Sequence, residues 1–410
     1  MKFKFSYGWY IVAVGFFLAF YNGAFFGYGW TAFINPMLTT LGWTMAEISL
    51  GSSLRSVEQG VFNPVWGTII DRFSPRKLML FGIVITAAGI FLLCRTTNLA
   101  MYYAGFLIMG LGSSLSMMIP TVLLSKWFKG NFGKANGILA MGTGFGGVVL
   151  PLVVLMIDKL SWQTTLLISA IGWAVIGIPL ALVCRNPPPN FNVIGDNTII
   201  KAKEVQSNVP TISVKAAIRT RAFWHINLST FVQIFVSTVP MFYTMPYFTS
   251  IGISRATGSM TVLLYTLVSV FGRLPFGWLA DKYKPSYLIA ISTALMGIGI
   301  FLFSLISNQS SFSLIWLFAI AYGLGLSGLI PLRPPILREY FGTKNFGTIY
   351  GLSSIFATVG AVLAPVTVGV FITIYGNYGS IWLALTGLSV LGIIVILTVP
   401  RSSTKKTEVI

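Results

Sequence analysis

The sequence predicts an all-α polytopic membrane protein whose twelve transmembrane helices form two six-helix bundles. Three observations support this prediction. Of the 410 residues, 55% are hydrophobic and only 9% are charged, whereas about a quarter of the residues in a soluble domain are charged. The apolar residues form blocks long enough to cross a bilayer, which takes about 20 residues each. Features of the first half of the chain also recur in the second half.

The apolar blocks predict the spans in order, and the longest polar stretch separates the sixth span from the seventh. This stretch predicts a cytoplasmic linker at 185–221, with a short surface helix near 214–220, between bundles at 1–184 and 222–410. A loop of this length is unusual inside one domain. The predicted spans cover about 9–30, 46–70, 77–95, 101–124, 133–156, 163–184, 223–248, 256–280, 286–307, 313–337, 346–373 and 379–399.

The net charge of +18 comes from 27 basic and 9 acidic residues. With the N-terminus inside, most Lys and Arg residues fall in cytoplasmic segments, which follows the positive-inside rule. We therefore expect a multi-pass protein of the plasma (inner) membrane with both termini in the cytoplasm. The basic balance requires no nucleic-acid partner. The basic residues placed elsewhere are Arg95, Lys159 and Arg255 outside, and Arg55, Arg273 and Arg333 within helices.

Matching residues recur at two fixed offsets in corresponding predicted helices. Six-helix halves of the same topology are parallel repeats about an axis along the membrane normal, and substrate sites in such proteins lie near the bilayer midplane. At an offset of 210, Pro36, Gly42, Ala46, Gly67 and Asp71 match Pro246, Gly252, Ala256, Gly277 and Asp281. At an offset of 214, Phe132, Gly133, Gly137, Gly146 and Pro151 match Phe346, Gly347, Gly351, Gly360 and Pro365.

Arg273 lies in the middle of an apolar predicted helix, in the run VSVFGRLPFGWLADKY. A cation at the centre of a membrane helix costs about 2.5 to 3.5 kcal/mol on insertion scales, so it marks a functional site by default. The planar guanidinium group of an Arg can donate two parallel hydrogen bonds to one carboxylate. The alternative is a structural pair with Glu58, the acid that lies well inside a predicted span. Position 63, at the equivalent place in the first half, is Asn.

Arg55 and Glu58 are three residues apart, so they can be neighbours on one face of the second predicted helix. One interpretation is an intrahelical ion pair. The other is a coupling site, in which Glu58 takes up a proton or an incoming anion competes for Arg55. Burial favours the neutral form of a carboxyl group, whereas a nearby Arg favours the ionised form. The sequence does not show which effect is larger, so both interpretations stay open.

Four further polar side chains in apolar runs are candidate substrate-binding residues: Asn22, Gln233, Tyr265 and Tyr322. The two amides could instead bond between helices, and the two tyrosines could be packing or interfacial residues. Arg333 lies in the run Pro-Leu-Arg-Pro-Pro near the cytoplasmic face, where the prolines break the helix. We expect Arg333 to act at a gate or at the interface. The chain has one His, two separated Cys and no P-loop. The sequence therefore predicts no metal site, no cofactor and no enzymatic activity.

The segment Gly67-Thr-Ile-Ile-Asp-Arg-Phe-Ser-Pro-Arg-Lys77 resembles the signature loop of the major facilitator superfamily. The second-half copy, 277–282, is shorter. The resemblance implies a gating role for Gly67, Asp71, Arg72, Arg76 and Asp281. Asp71 can cap a neighbouring helix end and pair with a cation, and breaking that latch would accompany the conformational switch.

A narrower resemblance concerns the branch. Tyr28-Gly-Trp-Thr31 and Gly272-Arg-Leu-Pro-Phe-Gly-Trp278 are similar to segments of oxalate–formate antiporters, and the second also to monocarboxylate transporters. In that branch an Arg at the position of Arg273 binds the substrate carboxylate. The oxalate carriers also place a Lys in helix 11, but 346–373 contains no Lys or Arg. The resemblance therefore implies one carboxylate on the substrate.

These expectations describe a monomeric secondary transporter of a small organic anion, a monocarboxylate, that works by alternating access. Its partners would be that anion, the lipid bilayer, and protons or a counter-anion, through proton symport or anion exchange. The alternative is proton-coupled efflux of hydrophobic or cationic compounds. That function predicts a cavity of aromatic residues with an acid, and Arg273 paired to Glu58.

Overall fold

The computed structural model describes residues 7–128, 130–188, 193–195, 198–200, 212–307, 312–375 and 378–400. Most of these residues are helical, which confirms the predicted all-α class. The chain divides into two compact units. The first contains Met1–Ile212 and Phe341–Ile355, and the second contains Ser213–Tyr340 and Phe356–Ile410. The bundle boundaries at residues 185 and 222 stay predictions.

The first unit is built from eight α-helices, one π-helical turn and the start of a later helix. Two three-residue strands lie in the predicted linker and pair antiparallel, with Val193 opposite Ile200. The elements are α1 Gly8–Asn22, the π-helical turn Gly23–Gly27, α2 Trp30–Leu41, α3 Met45–Arg72, α4 Pro75–Cys94, α5 Leu99–Trp127, α6 Phe132–Val148, α7 Leu150–Leu160, α8 Trp162–Val183, β1 Val193–Gly195 and β2 Thr198–Ile200.

The second unit begins with the short helix expected near 214–220, which is confirmed as five residues. The helix α15 starts in the first unit and continues in the second. The elements are α9 Val214–Ile218, α10 Arg221–Ser250, α11 Arg255–Lys282, α12 Pro285–Ser304, α13 Phe312–Leu329, α14 Arg333–Phe341, α15 Phe346–Tyr375 and α16 Gly379–Leu397.

The number of strongly apolar spans differs from the twelve predicted. Among the described residues, ten helices are long and apolar enough to cross a membrane, and α6 with α7, bent by 43°, make an eleventh. The predicted second span is α3, a continuous helix of 28 residues. It is not among the eleven because Arg55, Glu58, Gln59 and Asn63 make its middle polar. A polar helix of this kind faces protein or water rather than lipid.

Helix ends repeat between the two units at the offset of 210 residues. Gly42 and Gly252 both have positive φ, at 69° and 78°, and each lies where a helix has just ended. Two residues later, Thr44 and Ser254 cap the next helices by accepting hydrogen bonds from backbone N–H groups. A side-chain cap of this kind stabilises a helix by about 1 kcal/mol. The sequence repeat is therefore also a repeat of local structure.

In the first unit, α5 lies at the centre. It packs against α3 and α4, and most of its side chains are buried. In the second unit, aromatic rings fill the core. Phe303 stacks on Phe318 with ring centroids 4.2 Å apart, and Trp382 meets Phe303 edge-on at 4.7 Å. Such pairs add about 0.5 to 1.5 kcal/mol each beyond the area they bury.

Candidate functional site

The first predicted span is a helix that contains a π-helical turn, and Arg55 contacts this turn. The π-helical turn Gly23–Gly27 separates α1 from α2, and π turns of this kind occur frequently at functional sites. Arg55 Nη1 donates to the carbonyl oxygen of Phe26 at 2.9 Å, and Nη2 donates to Asn22 Oδ1 at 3.3 Å. The structure therefore brings together Arg55 and Asn22, which were predicted separately as substrate-binding residues.

Two donors in this cluster are buried without a hydrogen-bond acceptor among the described residues. They are Arg55 Nε and Asn22 Nδ2. The hydrogen-bond partners of Arg55 are a neutral carbonyl and a neutral amide, and its charge also interacts electrostatically with Glu58. Buried unsatisfied donors are uncommon in proteins and call for an explanation. An anion or a water molecule at this position would supply the missing acceptor.

Glu58 is 4% exposed and bonds to α5 rather than to Arg55. Its Oε1 accepts from Ser114 Oγ at 3.3 Å, and Ser114 Oγ in turn accepts from the indole N–H of Trp66 at 3.1 Å. Glu58 Oε2 has no hydrogen-bond partner among the described residues. The hydrogen bonds of Arg55 and Glu58 thus point to different helices, although the two charges attract each other. Both interpretations of this pair, an intrahelical ion pair and a coupling site, stay predictions.

Gly110 on α5 makes room for the two charged side chains. A Cβ added at Gly110 would lie 2.6 Å from Glu58 Oε2 and 3.4 Å from Arg55 Cγ. Sequence reasoning missed Gly110, Trp66 and Ser114. A single serine in a membrane helix commonly bonds its own backbone, so Ser114 alone does not indicate a site. The cluster of three serines in the run Ser113-Ser114-Leu-Ser116, inside an apolar helix, is the signal that could have indicated one.

Arg273 is buried in the interior of α11, with 6% of its surface exposed. The neighbouring residue fixes how α13 packs there, because a methyl group at Gly272 would collide with the hydroxyl of Ser327. Pro275 follows inside the same helix without ending it. Arg273 therefore lies away from either end of α11, next to a residue at which α11 and α13 pack closely.

The other candidates of the second unit lie inside its packing. Gln233 is 5% exposed and donates to Thr293 Oγ1 at 3.0 Å. Tyr322 is fully buried, and its hydroxyl donates to the carbonyl of Ser237. Tyr265 meets Tyr322 edge-on with ring centroids 5.2 Å apart. The side chains of Gln233 and Tyr322 thus hold neighbouring helices together in this conformation, and their role as substrate ligands stays a prediction.

Asp71, a candidate gating residue, caps a helix that is distant in sequence. Its carboxylate accepts from the backbone N–H of Gly347 at 3.2 Å, and from the N–H and hydroxyl of Thr348, both at 2.9 Å. These groups belong to the first turn of α15, where the helix dipole favours a negative charge. Thr348 was not predicted, although a Thr in the first turn of a helix is an available signal.

Gly67 allows this contact. A methyl group at Gly67 would collide with the carbonyl of Gly347, and one at Gly351 would collide with the carbonyl of Asn63. The end of α3 and the start of α15 therefore touch backbone to backbone, within the first unit.

The remaining gating candidates occupy helix ends. Arg72 and Arg76 are exposed, in the last turn of α3 and the first turn of α4. Asp281 is near the end of α11 and interacts electrostatically with the guanidinium of Arg338. Arg333 begins α14 after a break that follows Leu329, so the predicted interruption of the helix is confirmed. The gating roles of these residues stay predictions.

Comparison with known proteins gives relatives at low identity. The oxalate:formate antiporter of Oxalobacter formigenes is 24% identical over 327 residues, which covers 79% of this chain and 75% of that protein. The agnestins efflux protein AgnL12 of Paecilomyces divaricatus is 24% identical, covering 76% and 69%. Monocarboxylate transporter 12 of Xenopus laevis is 23% identical, covering 80% and 74%.

A solved structure has the same fold as this chain. The crystal structure of the E. coli fucose:proton symporter FucP matches with a TM-score of 0.71 at 15% identity, covering 97% of this chain and 100% of that one. The sequence profile of the Major Facilitator Superfamily matches residues 13–251 and 226–409, so it spans both halves. The apolar helices, the repeated helix ends and the Asp71 cap of α15 all lie within these matches, and the chain therefore belongs to the major facilitator superfamily.

Proposed function

We propose that this protein is a secondary transporter of a small organic anion with one carboxylate, working by alternating access. The observation that carries the proposal is the guanidinium of Arg273, buried in the interior of a 28-residue apolar helix. A cation placed there at a cost of several kcal/mol is explained by binding an anion. The oxalate:formate antiporter and monocarboxylate transporter 12 are both relatives; both names agree with a carboxylate substrate, and the second agrees with a single carboxylate.

The charge of the substrate is inferred from α15. A dicarboxylate would need a second cation, and the oxalate-carrier branch is expected to place a Lys in the helix that corresponds to α15. The helix Phe346–Tyr375 contains no Lys or Arg. One carboxylate held by the planar fork of Arg273 needs no further cation.

The cluster in the first unit supports a second role in transport. Arg55 Nε and Asn22 Nδ2 are donors that can bind a water molecule, and Glu58 Oε2 is an acceptor that can receive a proton. A water molecule together with a proton would satisfy all three atoms without a second carboxylate. This supports proton symport over anion exchange as the coupling mode.

The test is uptake of labelled carboxylates into proteoliposomes. We expect Arg273→Gln to lower uptake by roughly 30-fold or more, because losing one partner of a buried charge pair costs about 2 to 5 kcal/mol. The matched control is Lys284→Gln, which removes an exposed cation of the same unit. Carboxylate uptake by Arg273→Gln at the level of the control would rule out the role assigned to Arg273.

Efflux of hydrophobic compounds is the second candidate, because AgnL12 is an efflux protein by name. It predicts that a strain lacking this protein becomes sensitive to some hydrophobic or cationic compounds. A susceptibility panel measures this directly. Unchanged resistance to every compound, together with carboxylate uptake by the purified protein, would leave anion transport as the function.

A further inference from the structure

The short helix α9 presents a basic surface outside the transport machinery. Ala217 is fully buried, whereas Lys215, Ala216 and Arg219 are exposed. Lys215 and Arg219 are four residues apart, so their side chains lie on one face. A shallow cavity of about 380 Å³ lies beside this face, and its lining consists of Ser213, Lys215, Ala216, Arg219 and Thr220.

The hydroxyl groups that line this cavity are already used by the protein. Ser213 Oγ accepts from the N–H of Ala216 at 3.2 Å. Thr220 Oγ1 donates to the carbonyl of Ala217 at 2.7 Å and accepts from the N–H of Phe223 at 3.2 Å. The charged groups available to a ligand are therefore the Lys215 ammonium and the Arg219 guanidinium, which select an anion.

The local sequence has no negative charge to oppose these cations. Between Glu204 and Asp281 the chain contains no Asp or Glu, and Arg221 adds a third positive charge close by. Clusters of Lys and Arg next to a membrane helix attract anionic lipids, and each basic residue contributes about fivefold in affinity.

The start of α10 distinguishes a lipid from a free anion. Trp224 is 53% exposed, and its indole N–H donates to the carbonyl of Ile218 at 2.9 Å. One turn further along the same face, Leu228 is 47% exposed. Basic, aromatic and apolar side chains thus follow each other along one surface. This order matches the headgroup, interface and acyl regions of a bilayer leaflet.

We propose that this surface binds the headgroup of an anionic phospholipid. Lys215 and Arg219 hold the phosphate, and an acyl chain lies along Trp224 and Leu228. The proposal goes beyond the transported substrate and holds whether or not the anion assignment is correct.

The test is native mass spectrometry of the purified full-length protein in neutral detergent, titrated with phosphatidylglycerol or phosphatidylcholine of equal chain length. We expect tighter binding of phosphatidylglycerol. The double variant Lys215→Gln with Arg219→Gln should weaken that binding by about 25-fold, and Lys215→Gln alone by about fivefold. The matched control, Lys282→Gln with Lys284→Gln, removes the same charge from another turn and should change it by less than about threefold.

Three outcomes would overturn the proposal: equal affinity for the two lipids, equal losses in the two double variants, or full displacement of phosphatidylglycerol by millimolar inorganic phosphate. The last result would mean that the cavity holds a free anion. The substituted side chains are exposed, so a thermal melt of each variant should stay close to the wild type. Lys215→Gln alone keeps the test decisive if the double variant is unstable.

Discussion

Glu58 and Arg55 are three positions apart on α3, yet each bonds a different helix. Arg55 reaches the π-helical turn between α1 and α2, and Glu58 reaches Ser114 on α5. One oxygen of Glu58 has a hydrogen bond and the other has none among the described residues. A bare carboxylate in such a place costs several kcal/mol unless it is paired. Arg55 acts on this carboxyl group electrostatically and Ser114 binds one of its oxygens, which leaves the other oxygen available to receive a proton.

At the residue scale we predict that Glu58→Gln folds normally but loses proton coupling. The amide keeps the shape of the carboxyl group and cannot ionise, so the thermal midpoint should stay equal or rise by a few degrees. Uptake of labelled monocarboxylate into proteoliposomes should no longer respond to an imposed proton gradient. The control is Asp158→Asn, which alters an exposed acid of the same unit.

The contradicting result is specific. If Glu58→Gln keeps gradient-stimulated uptake at the level of Asp158→Asn, Glu58 does not carry the proton. Loss of all uptake, including exchange without a gradient, would instead assign Glu58 to substrate binding or to helix packing around Gly110.

At the scale of elements, the helices near the site are broken, bent or capped by residues distant in sequence. The chain turns through a π-helical segment before α2, and α6 bends by 43° into α7. The start of α15 is held by Asp71 at the end of α3. Such breaks expose backbone groups that need partners, because unsatisfied groups in a membrane cost several kcal/mol. Arg55 and Asp71 provide those partners.

We predict that Gly67→Ala destabilises the contact between α3 and α15. The added methyl group meets the backbone carbonyl of Gly347, which cannot move without shifting α15. Overpacking of this kind costs about 1 to 3 kcal/mol. A thermal melt of the purified protein should show a lower midpoint, and cysteines placed at the ends of the two helices should crosslink more slowly.

The matched control is Gly387→Ala on α16. A Cβ at Gly387 has no neighbour within 4 Å, so this variant should be as stable as the wild type or slightly more stable. Equal midpoints for Gly67→Ala and Gly387→Ala would show that the backbone contact at Gly67 is not maintained in solution.

At the scale of the whole molecule, both units use the same helix ends, but their buried charges differ. Arg55 and Glu58 correspond to Tyr265 and Val268 at the offset of 210, and Arg273 corresponds to Asn63. A shared scaffold with different polar side chains suits an asymmetric solute. The repeat therefore separates scaffold positions from candidate site positions.

This asymmetry predicts how ligands change the stability of the whole protein. A ligand that binds only the folded state stabilises it by about 2.7 kcal/mol at a hundredfold excess over its Kd. We expect monocarboxylates to raise the thermal midpoint by several degrees, and dicarboxylates of similar size to raise it less. The Arg273→Gln variant should lose the shift. An equal or larger shift with oxalate would contradict the assignment of a single carboxylate.

The sequence by itself determined the fold class, the two-part repeat and the buried charges, because membrane helices must be long, apolar and internally hydrogen-bonded. Arg273, Arg55 and Glu58 were found as charged residues in apolar surroundings, and Asp71 was found through the repeat and the resemblance to the signature loop. The helix α3 occupies the second predicted span, and its polar side chains give it a lower hydropathy than the other spans.

Only the tertiary structure decided which partner each polar residue has. Periodicity places Arg55 and Glu58 on one face of a helix, but the directions of their side chains depend on Phe26, Asn22 and Ser114, which are distant in sequence. In the same way, the sequence left open whether Gln233 and Tyr322 line a cavity or pack between helices, and in the structure both bond neighbouring helices. Hydrogen bonds act over about 3 Å, so the packing of helices selects these partners.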